Sequence, residues 1–172
     1  SVLRHSWTDD AHRQESVADH SWHMAIVAIA LAPDLQTKVD LLRVFELIAV
    51  HDLGEMFTGD IPAFAARAGK YEAEKEAVAK ITQTLPTERQ KEIFDLWQEY
   101  EERQTKEALF VKMLDVIDVI NQHLAADIST WSKEEWTFNL NRDSEKYFKD
   151  EPLMLALYNF IHDELEKKVA RR

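Results

Sequence analysis

The adjacent pair His51-Asp52 has the clearest potential for chemistry in this sequence. It follows apolar residues that recur at helical spacing, so an imidazole and a carboxylate stand where core residues are expected. Burying both groups is costly unless each finds a partner. Two other apolar stripes also carry a polar group, which is His20 in the first and Asp115 in the third. Two imidazoles and two carboxylates form a ligand set suited to a divalent first-row metal and poorly suited to calcium.

Three amphipathic helices must bring these polar groups together. In each stripe the apolar residues recur every three or four positions, which places them on one helical face. A single histidine on such a face is more often a hydrogen-bonded core residue than a metal ligand, and His-Asp is a common dipeptide. The recurrence of metal-ligand types in all three stripes favours a metal site. The stripes comprise Val17, His20, Met24, Val27 and Leu31, then Leu41, Val44, Phe45 and Ile48, and then Leu109, Met113, Ile117, Ile120 and Leu124.

The composition predicts a compact all-α protein, and the length of 172 residues fits a single domain over residues 1–172. Hydrophobic residues make up 45% of the chain, which has only three glycines and four prolines. The 32 acidic residues exceed the 21 basic residues and give a net charge of −11. Because nucleic-acid binders need a basic footprint, a nucleic-acid polymer is not an expected partner, whereas a small phosphate ester remains compatible.

Neither a membrane partner nor a disulfide is expected from the sequence. No apolar run reaches the length of a membrane span, and no signal peptide is visible. The chain contains no cysteine, which is compatible with the cytosol. We therefore predict a cytoplasmic location.

The order of one histidine, then His51-Asp52, then a distant aspartate resembles that of the HD-domain metal-dependent phosphohydrolases. Longer segments resemble the 5'-deoxynucleotidase subfamily, above all Glu-Ser-Val-Ala-Asp-His at 15–20 and Thr-Gly-Asp-Ile-Pro at 58–62. The resemblance extends over about residues 3–127. It implies an HD-type helical bundle, a homodimer, and hydrolysis of 2'-deoxyribonucleoside 5'-monophosphates. It also implies one divalent transition metal (Mn, Co, Zn, Fe or Ni), and the ligands would be His20, His51, Asp52 and Asp115.

The same resemblance implies roles for four further residues. Glu55 and Asp60 would activate or position the attacking water and handle the proton of the leaving group. Arg4 would contact the phosphate, and Trp7 would contact the sugar and base, for which a guanidinium and an indole are suitable groups. From the residue types alone, each has a structural alternative: a helix-end residue for Glu55, a turn for Asp60, a solvated side chain for Arg4 and packing for Trp7.

Several polar residues near the predicted ligands have supporting or undecided roles. Asp118 and Gln122 lie on the flank of the helical face that carries Asp115 and are expected to orient metal ligands. His23 is expected at the surface or behind a ligand. Lys112 matches a position of the resembled family, where it would approach a phosphate, but a solvated lysine is equally compatible with the pattern.

Cap and breaker residues predict the helix boundaries. The second helix is expected to begin near Thr37, a good N-cap type, and residues 53–62 are expected to form a loop. Thr87 and Gln90 predict a capping box, and the helix of the third stripe is expected over about residues 105–128.

The resemblance fades after residue 129. Ser132 and Glu135 predict a cap for a short helix, and a last helix is expected to begin at about Pro152. The apolar stripe of that helix is expected to complete the core or to form a dimer surface, and the sequence does not choose between them. The same holds for three aromatic residues, which are Trp131, Trp136 and Phe138.

Two alternative functions remain open at this point. The first is another HD phosphohydrolase reaction, on a cyclic nucleotide or a nucleoside triphosphate. The sequence shows no large cluster of Lys and Arg for several phosphates, although scattered residues could converge in space. The second is a non-catalytic interaction module with a structural metal, because four protein ligands close a tetrahedral zinc site but leave two positions on an octahedral ion.

Overall fold

The computed structural model describes residues 2–7, 13–58 and 69–171. Helices dominate this part of the chain, which confirms the predicted all-α class. A two-stranded antiparallel sheet near the N-terminus was not predicted; it pairs β1 (Leu3–Trp7) with β2 (Gln14–Ser16). The helices are α1 (Val17–Leu31), α2 (Leu41–Val50), α3 (Glu55–Thr58), α4 (Lys70–Thr82), α5 (Thr87–Glu102), α6 (Lys106–Ala125), α7 (Lys133–Leu140) and α8 (Pro152–Ala170).

Helix α6 is the central element of the fold. It packs against α1, α2, α5 and α8, and its apolar stripe is buried as the sequence predicts. Because the helices that carry His20 and His51 both contact α6, the polar residues of the three stripes face one another in the interior. The buried part of the α6 stripe comprises Met113, Ile117 and Ile120.

A capping box fixes the start of α1. Ser16 Oγ accepts a hydrogen bond from the Asp19 amide, and the Asp19 carboxylate accepts one from the Ser16 amide. Arg13 donates to the same carboxylate at 2.6 Å, and its hydrogen bond is the main reason why the pKa of Asp19 lies below its usual range. The cap sets the rotation of the first turn and therefore the inward direction of His20.

The predicted start of α2 at Thr37 is wrong, because Asp40 is the N-cap. The Asp40 carboxylate accepts from the Leu42 amide at 2.9 Å. The Thr37 amide instead donates to Glu151, which precedes α8, so a distant carboxylate satisfies this backbone group without starting a helix.

The predicted capping box of Thr87 and Gln90 is also wrong. Pro86 occupies the N-cap position of α5, Thr87 is the first helical residue, and no side chain caps the helix. The side-chain amide of Gln90 donates to the Leu85 carbonyl instead. The fixed φ of proline orders this helix start without a side-chain cap.

The expected loop over 53–62 is partly helical, because α3 (Glu55–Thr58) begins directly after the turn that follows α2. Gly54 lies in that turn. A Cβ at this position would stand 2.7 Å from the Glu74 Cβ, so only glycine lets α4 approach this closely. The approach brings α4 to the side of the His51-Asp52 pair.

The C-terminal segment completes the core. Helix α6 ends at Ala125 rather than near residue 128, and a 3-10 turn follows at Ile128–Thr130. The capping box of Ser132 and Glu135 is confirmed at the start of α7. Trp131 is buried, and α8 contributes fully buried residues to the main core, namely Met154, Tyr158 and Leu165. Within the described residues, the helices lack the combination of length and apolar composition that membrane crossing requires.

Candidate metal centre and active-site cavity

The structure brings the predicted metal ligands together at the contact of α1, α2 and α6. One ligand atom from each of His20, His51 and Asp52 lies within 4.8 Å of the others. Asp115 joins them from α6, because its Oδ1 lies 3.3 Å from His20 Nε2. The imidazole rings of His20 and His51 are buried with their centroids 5.3 Å apart.

The second nitrogen of each imidazole is already occupied. His20 Nδ1 donates to Asp118 at 2.6 Å, and His51 Nδ1 donates to the Ile48 carbonyl at 2.8 Å. These bonds fix the tautomers and direct both Nε2 lone pairs towards Asp52 and Asp115. The four predicted ligands, His20, His51, Asp52 and Asp115, are referred to as the metal cluster. Both Nε2 atoms are buried and have no hydrogen-bond partner within the described part of the chain. Two lone pairs facing two carboxylates fit a divalent first-row cation.

The charges of the cluster also fit a cation. Burial opposes a charged imidazole, yet the neighbouring carboxylates of Asp115 and Asp118 raise the pKa of His20 to about 9. Burial opposes ionisation of Asp52 as well, but His51 and Arg4 hold the pKa of Asp52 below its usual range. The surplus of carboxylate charge that favours a proton on His20 would equally favour a divalent ion in its place.

Replacing Asp118 by alanine is expected to weaken metal binding by about 10- to 100-fold, because an imidazole without its carboxylate partner is less basic and less well oriented. Competition against a chromophoric chelator would measure the affinity. Asp118→Asn is the matched variant, since an amide oxygen can still accept from His20 Nδ1, and it should retain more of the affinity. An unchanged affinity in Asp118→Ala would contradict the orienting role.

Arg4 reaches the metal cluster from strand β1. Its Nη1 donates to Asp52 Oδ2 at 2.6 Å, and its Nε lies 3.5 Å from Glu15 Oε2. Arg4 is 8% exposed, so the structure excludes the alternative of a solvated side chain. The unpredicted β-sheet is therefore the element that carries a guanidinium to the edge of the cluster.

A second group of possible metal ligands lies behind His20 and comprises Glu15, His23 and Asp118. The side-chain amide nitrogen of Gln122 donates to Glu15 Oε1 at 2.8 Å and lies 3.1 Å from His23 Nδ1. The two N–H bonds of this side chain can therefore donate to both Glu15 and His23. These residues thus form a hydrogen-bonded network that does not require a metal ion. The hydrogen bonds of Gln122 are made with Glu15 and His23, so its predicted role in orienting a metal ligand stays a prediction.

A cavity of about 690 Å³ opens beside the metal cluster, a volume typical of small-molecule sites. Arg4, His51, Asp52 and Asp115 line it, and so does the predicted catalytic Glu55. Glu55 is buried, which excludes the alternative of a surface residue at a helix end.

The cavity wall contains three residues that were not found from the sequence, Lys70, Glu74 and Tyr100, and it also contains Lys112, whose role the sequence left undecided. Lys70 Nζ lies 3.3 Å from Glu74 and 3.8 Å from Glu55, so one ammonium group joins two buried carboxylates. Tyr100 donates to Asp115 Oδ2 at 3.0 Å, and the Lys112 ammonium lies 2.7 Å from the same oxygen. The i, i+4 spacing of Lys70 and Glu74 was the available signal, but that spacing is common on solvated helices.

The predicted contacts of two further residues, Trp7 and Asp60, are not seen among the residues that the structure describes. Trp7 is half-buried at the end of β1 and is not among the described residues that line the cavity. Asp60 lies outside the described residues, as does most of the segment 63–69.

The sequence matches the HD domain family over residues 1–154, so the chain belongs to that family. A crystal structure described as a predicted metal-dependent phosphohydrolase from Magnetospirillum magnetotacticum has a TM-score of 0.82 and 28% sequence identity to this chain. The match covers 97% of this chain and 87% of the other. The HD-type helical bundle implied by the resemblance is therefore confirmed.

The relatives with curated names point to a narrower group within the family. The protein named 5'-deoxynucleotidase HDDC2 from Dictyostelium discoideum is 41% identical over 115 residues, which is 63% of this chain and 60% of the relative. The human protein of the same name is 40% identical over 124 residues, which is 70% of this chain and 59% of the relative. This chain thus spans about three fifths of the length of these relatives.

Proposed function

We propose that the protein hydrolyses the phosphomonoester of 2'-deoxyribonucleoside 5'-monophosphates to a deoxynucleoside and phosphate. The observation that carries this proposal is the convergence of two buried Nε2 atoms and two carboxylates beside a nucleotide-sized cavity. The relatives named 5'-deoxynucleotidase supply the substrate class.

One divalent transition metal, drawn from Mn, Co, Zn, Fe and Ni, is the proposed cofactor. Its proposed ligands are His20, His51, Asp52 and Asp115, which offer two nitrogen and two oxygen donors. When bound, such an ion supplies Lewis-acid charge at the phosphoryl group and acidifies water at neutral pH.

The proposed roles of the side chains follow from their charges and positions. The Arg4 guanidinium binds a phosphate oxygen and offsets the negative charge that develops there, while its contact with Asp52 keeps it at the cluster. Glu55, which is buried in the cavity wall, accepts a proton from the attacking water. Asp60 shares in handling the proton of the leaving deoxyribose oxygen on the strength of the resemblance alone. Trp7 remains a proposed contact for the sugar and base on the strength of the resemblance.

A second candidate is hydrolysis of a nucleotide with more than one phosphate. The sequence left open whether scattered lysine and arginine side chains converge in space, and the fold brings several of them to one cavity. Most of them have an acidic partner, since Arg4, Lys70 and Lys112 each lie beside a carboxylate. The lysines and arginines that line the cavity are Arg4, Lys70, Arg103, Lys112 and Lys146.

Phosphate release from a panel of nucleotides would test these proposals. The panel contains ribo- and deoxyribonucleoside 5'-monophosphates, 3'-monophosphates, triphosphates and cyclic nucleotides, and the chelated protein is reloaded with one metal at a time. Metal-dependent turnover confined to deoxyribonucleoside 5'-monophosphates is the expected result. Turnover of triphosphates would favour the second candidate. No turnover by protein that binds metal would favour a structural metal site in an interaction module.

We also propose that residues 1–172 form one domain and that the protein is a cytoplasmic homodimer.

Helix α1 presents three exposed apolar side chains at i, i+4 and i+7, which are Trp22, Ile26 and Ile29. Burying this stripe against a second copy would remove apolar surface from water. Sedimentation velocity should give the mass of a dimer, and Trp22→Glu should shift it to a monomer; a monomeric parent protein would contradict the proposal.

A further inference from the structure

Two polar side chains of α8 are buried at the cavity wall, and each has a polar atom without a hydrogen-bond partner in the described part of the chain. Tyr158 and His162 are 0% and 1% exposed, and both line the cavity that opens beside the metal cluster. Neither the Tyr158 hydroxyl nor His162 Nδ1 has a hydrogen-bond partner within the residues that the structure describes. A buried polar group without a partner costs about 1–3 kcal/mol. Two of them side by side, with ring centroids 4.4 Å apart, indicate a polar ligand.

The direction of α8 relates the position of this pair to that of Asp115 on α6. Glu107 at the start of α6 accepts from the Asp40 amide, and Glu151 before α8 accepts from the Thr37 amide, so both helices begin at the α1–α2 loop. At the other end, Lys168 donates to backbone carbonyls at the end of α6. The two helices therefore run side by side in the same direction.

This arrangement fixes the level of the pair along α6. Tyr158 precedes Lys168 by ten residues, which is about 15 Å of helix, and Asp115 precedes the end of α6 by the same distance. Tyr158 is thus level with Asp115, and His162 is level with Val119. Packed helices are separated by about 8–10 Å, a span comparable to that between the 5'-phosphate and the base of a nucleotide.

We propose that Tyr158 and His162 bind the nucleobase of the substrate. This inference rests on the proposed nucleotidase function and extends it to the recognition of the base. The Tyr158 hydroxyl donates to a carbonyl oxygen or ring nitrogen of the base, and His162 Nδ1 accepts from an adjacent amino or imino group. Each of the four bases carries such neighbouring donors and acceptors on its pairing edge.

The protonation states of the two side chains suit these roles. Burial raises the pKa of Tyr158 to about 12, so the hydroxyl keeps its proton and donates. Burial, with a further contribution from Arg142, lowers the pKa of His162, so its ring is neutral and Nδ1 can accept. Three apolar residues of α6, Val116, Val119 and Ile120, also line the cavity and can contact the faces of a base.

Binding of deoxynucleosides to the full chain would test the proposal without depending on turnover. Calorimetric titration with thymidine, deoxycytidine, deoxyadenosine and 2-deoxyribose should show binding of the three nucleosides and much weaker binding of the free sugar. Tyr158→Phe removes one hydrogen bond at constant shape and should weaken nucleoside binding by about five- to tenfold. Thr84→Val removes a hydroxyl from an exposed residue that does not line the cavity, and this control variant should bind as the parent protein does.

Steady-state kinetics of the same variant distinguishes failure of the base-binding role from failure of the nucleotidase function. Tyr158→Phe should raise KM for deoxynucleoside monophosphates by about five- to tenfold while turnover of 2-deoxyribose 5-phosphate stays unchanged. Equal binding and equal KM in Tyr158→Phe and the parent protein would overturn the role of the pair and leave the nucleotidase proposal intact. Absence of turnover by the parent protein would overturn the nucleotidase proposal, and the titration would still decide whether the pair binds a base. His162→Leu provides an independent variant if Tyr158→Phe proves unstable.

Discussion

Asp52→Asn is expected to reduce metal-dependent phosphate release by about 10³-fold, as for the loss of a preorganised electrostatic group. Asp52 lies at the centre of the site, since its Oδ1 is 3.3 Å from His51 Nε2 and its Oδ2 accepts from Arg4. An amide cannot supply the negative charge that a cation and a guanidinium both need. Phosphate release at saturating substrate, together with the metal content of the purified variant, would measure both consequences.

The control for this variant is Asp95→Asn, which makes the same chemical change on the surface of α5. Asp95 is half-exposed and pairs with Lys91, so phosphate release and metal content should equal those of the parent protein. Circular dichroism should show that both variants remain helical. Full activity in a folded Asp52→Asn protein would contradict the assignment of the metal centre.

Glu55→Gln is expected to lower kcat by about 10²- to 10⁴-fold, the usual contribution of a positioned proton acceptor. The Glu55 carboxylate is buried at the cavity wall three residues after Asp52, with the Lys70 ammonium 3.8 Å away. Glutamine keeps the size of the side chain but cannot accept a proton from water. Metal content should be unchanged, because Glu55 is not one of the proposed ligands, and this readout distinguishes a loss of chemistry from a loss of the ion.

The matched control is Glu74→Gln, because Glu74 is a second buried carboxylate in contact with Lys70. The substitution makes the same chemical change as Glu55→Gln beside the same lysine, at a residue that has no proposed role in proton transfer. It should decrease kcat far less than Glu55→Gln does. Comparable losses in both variants would indicate that the Lys70 cluster is needed as a whole and that Glu55 has no separate role in proton transfer.

The sequence predicted the parts of this protein that depend on short-range regularity. Apolar spacing identified α1, α2 and α6, and a polar residue in each stripe predicted the meeting of His20, His51 and Asp115. Such patterns are readable because residues three or four positions apart share a helical face. The same local logic gave the capping box at Ser132 but failed at Thr37, where the competing partner of the backbone, Glu151, is distant in the chain.

Only the tertiary structure decided which charges meet across the fold. Arg4 contacts a carboxylate 48 residues away, and the closeness of α4 to the metal cluster depends on the missing Cβ of Gly54. The C-terminal helix, whose place the sequence left open, forms part of the core and of the cavity wall through Tyr158. Sequence periodicity tells which face of a helix is buried, but the neighbour that covers this face is selected by the packing of the whole chain. The kind of chemistry was therefore readable from residue types, whereas the shape of the substrate site required the assembled helices.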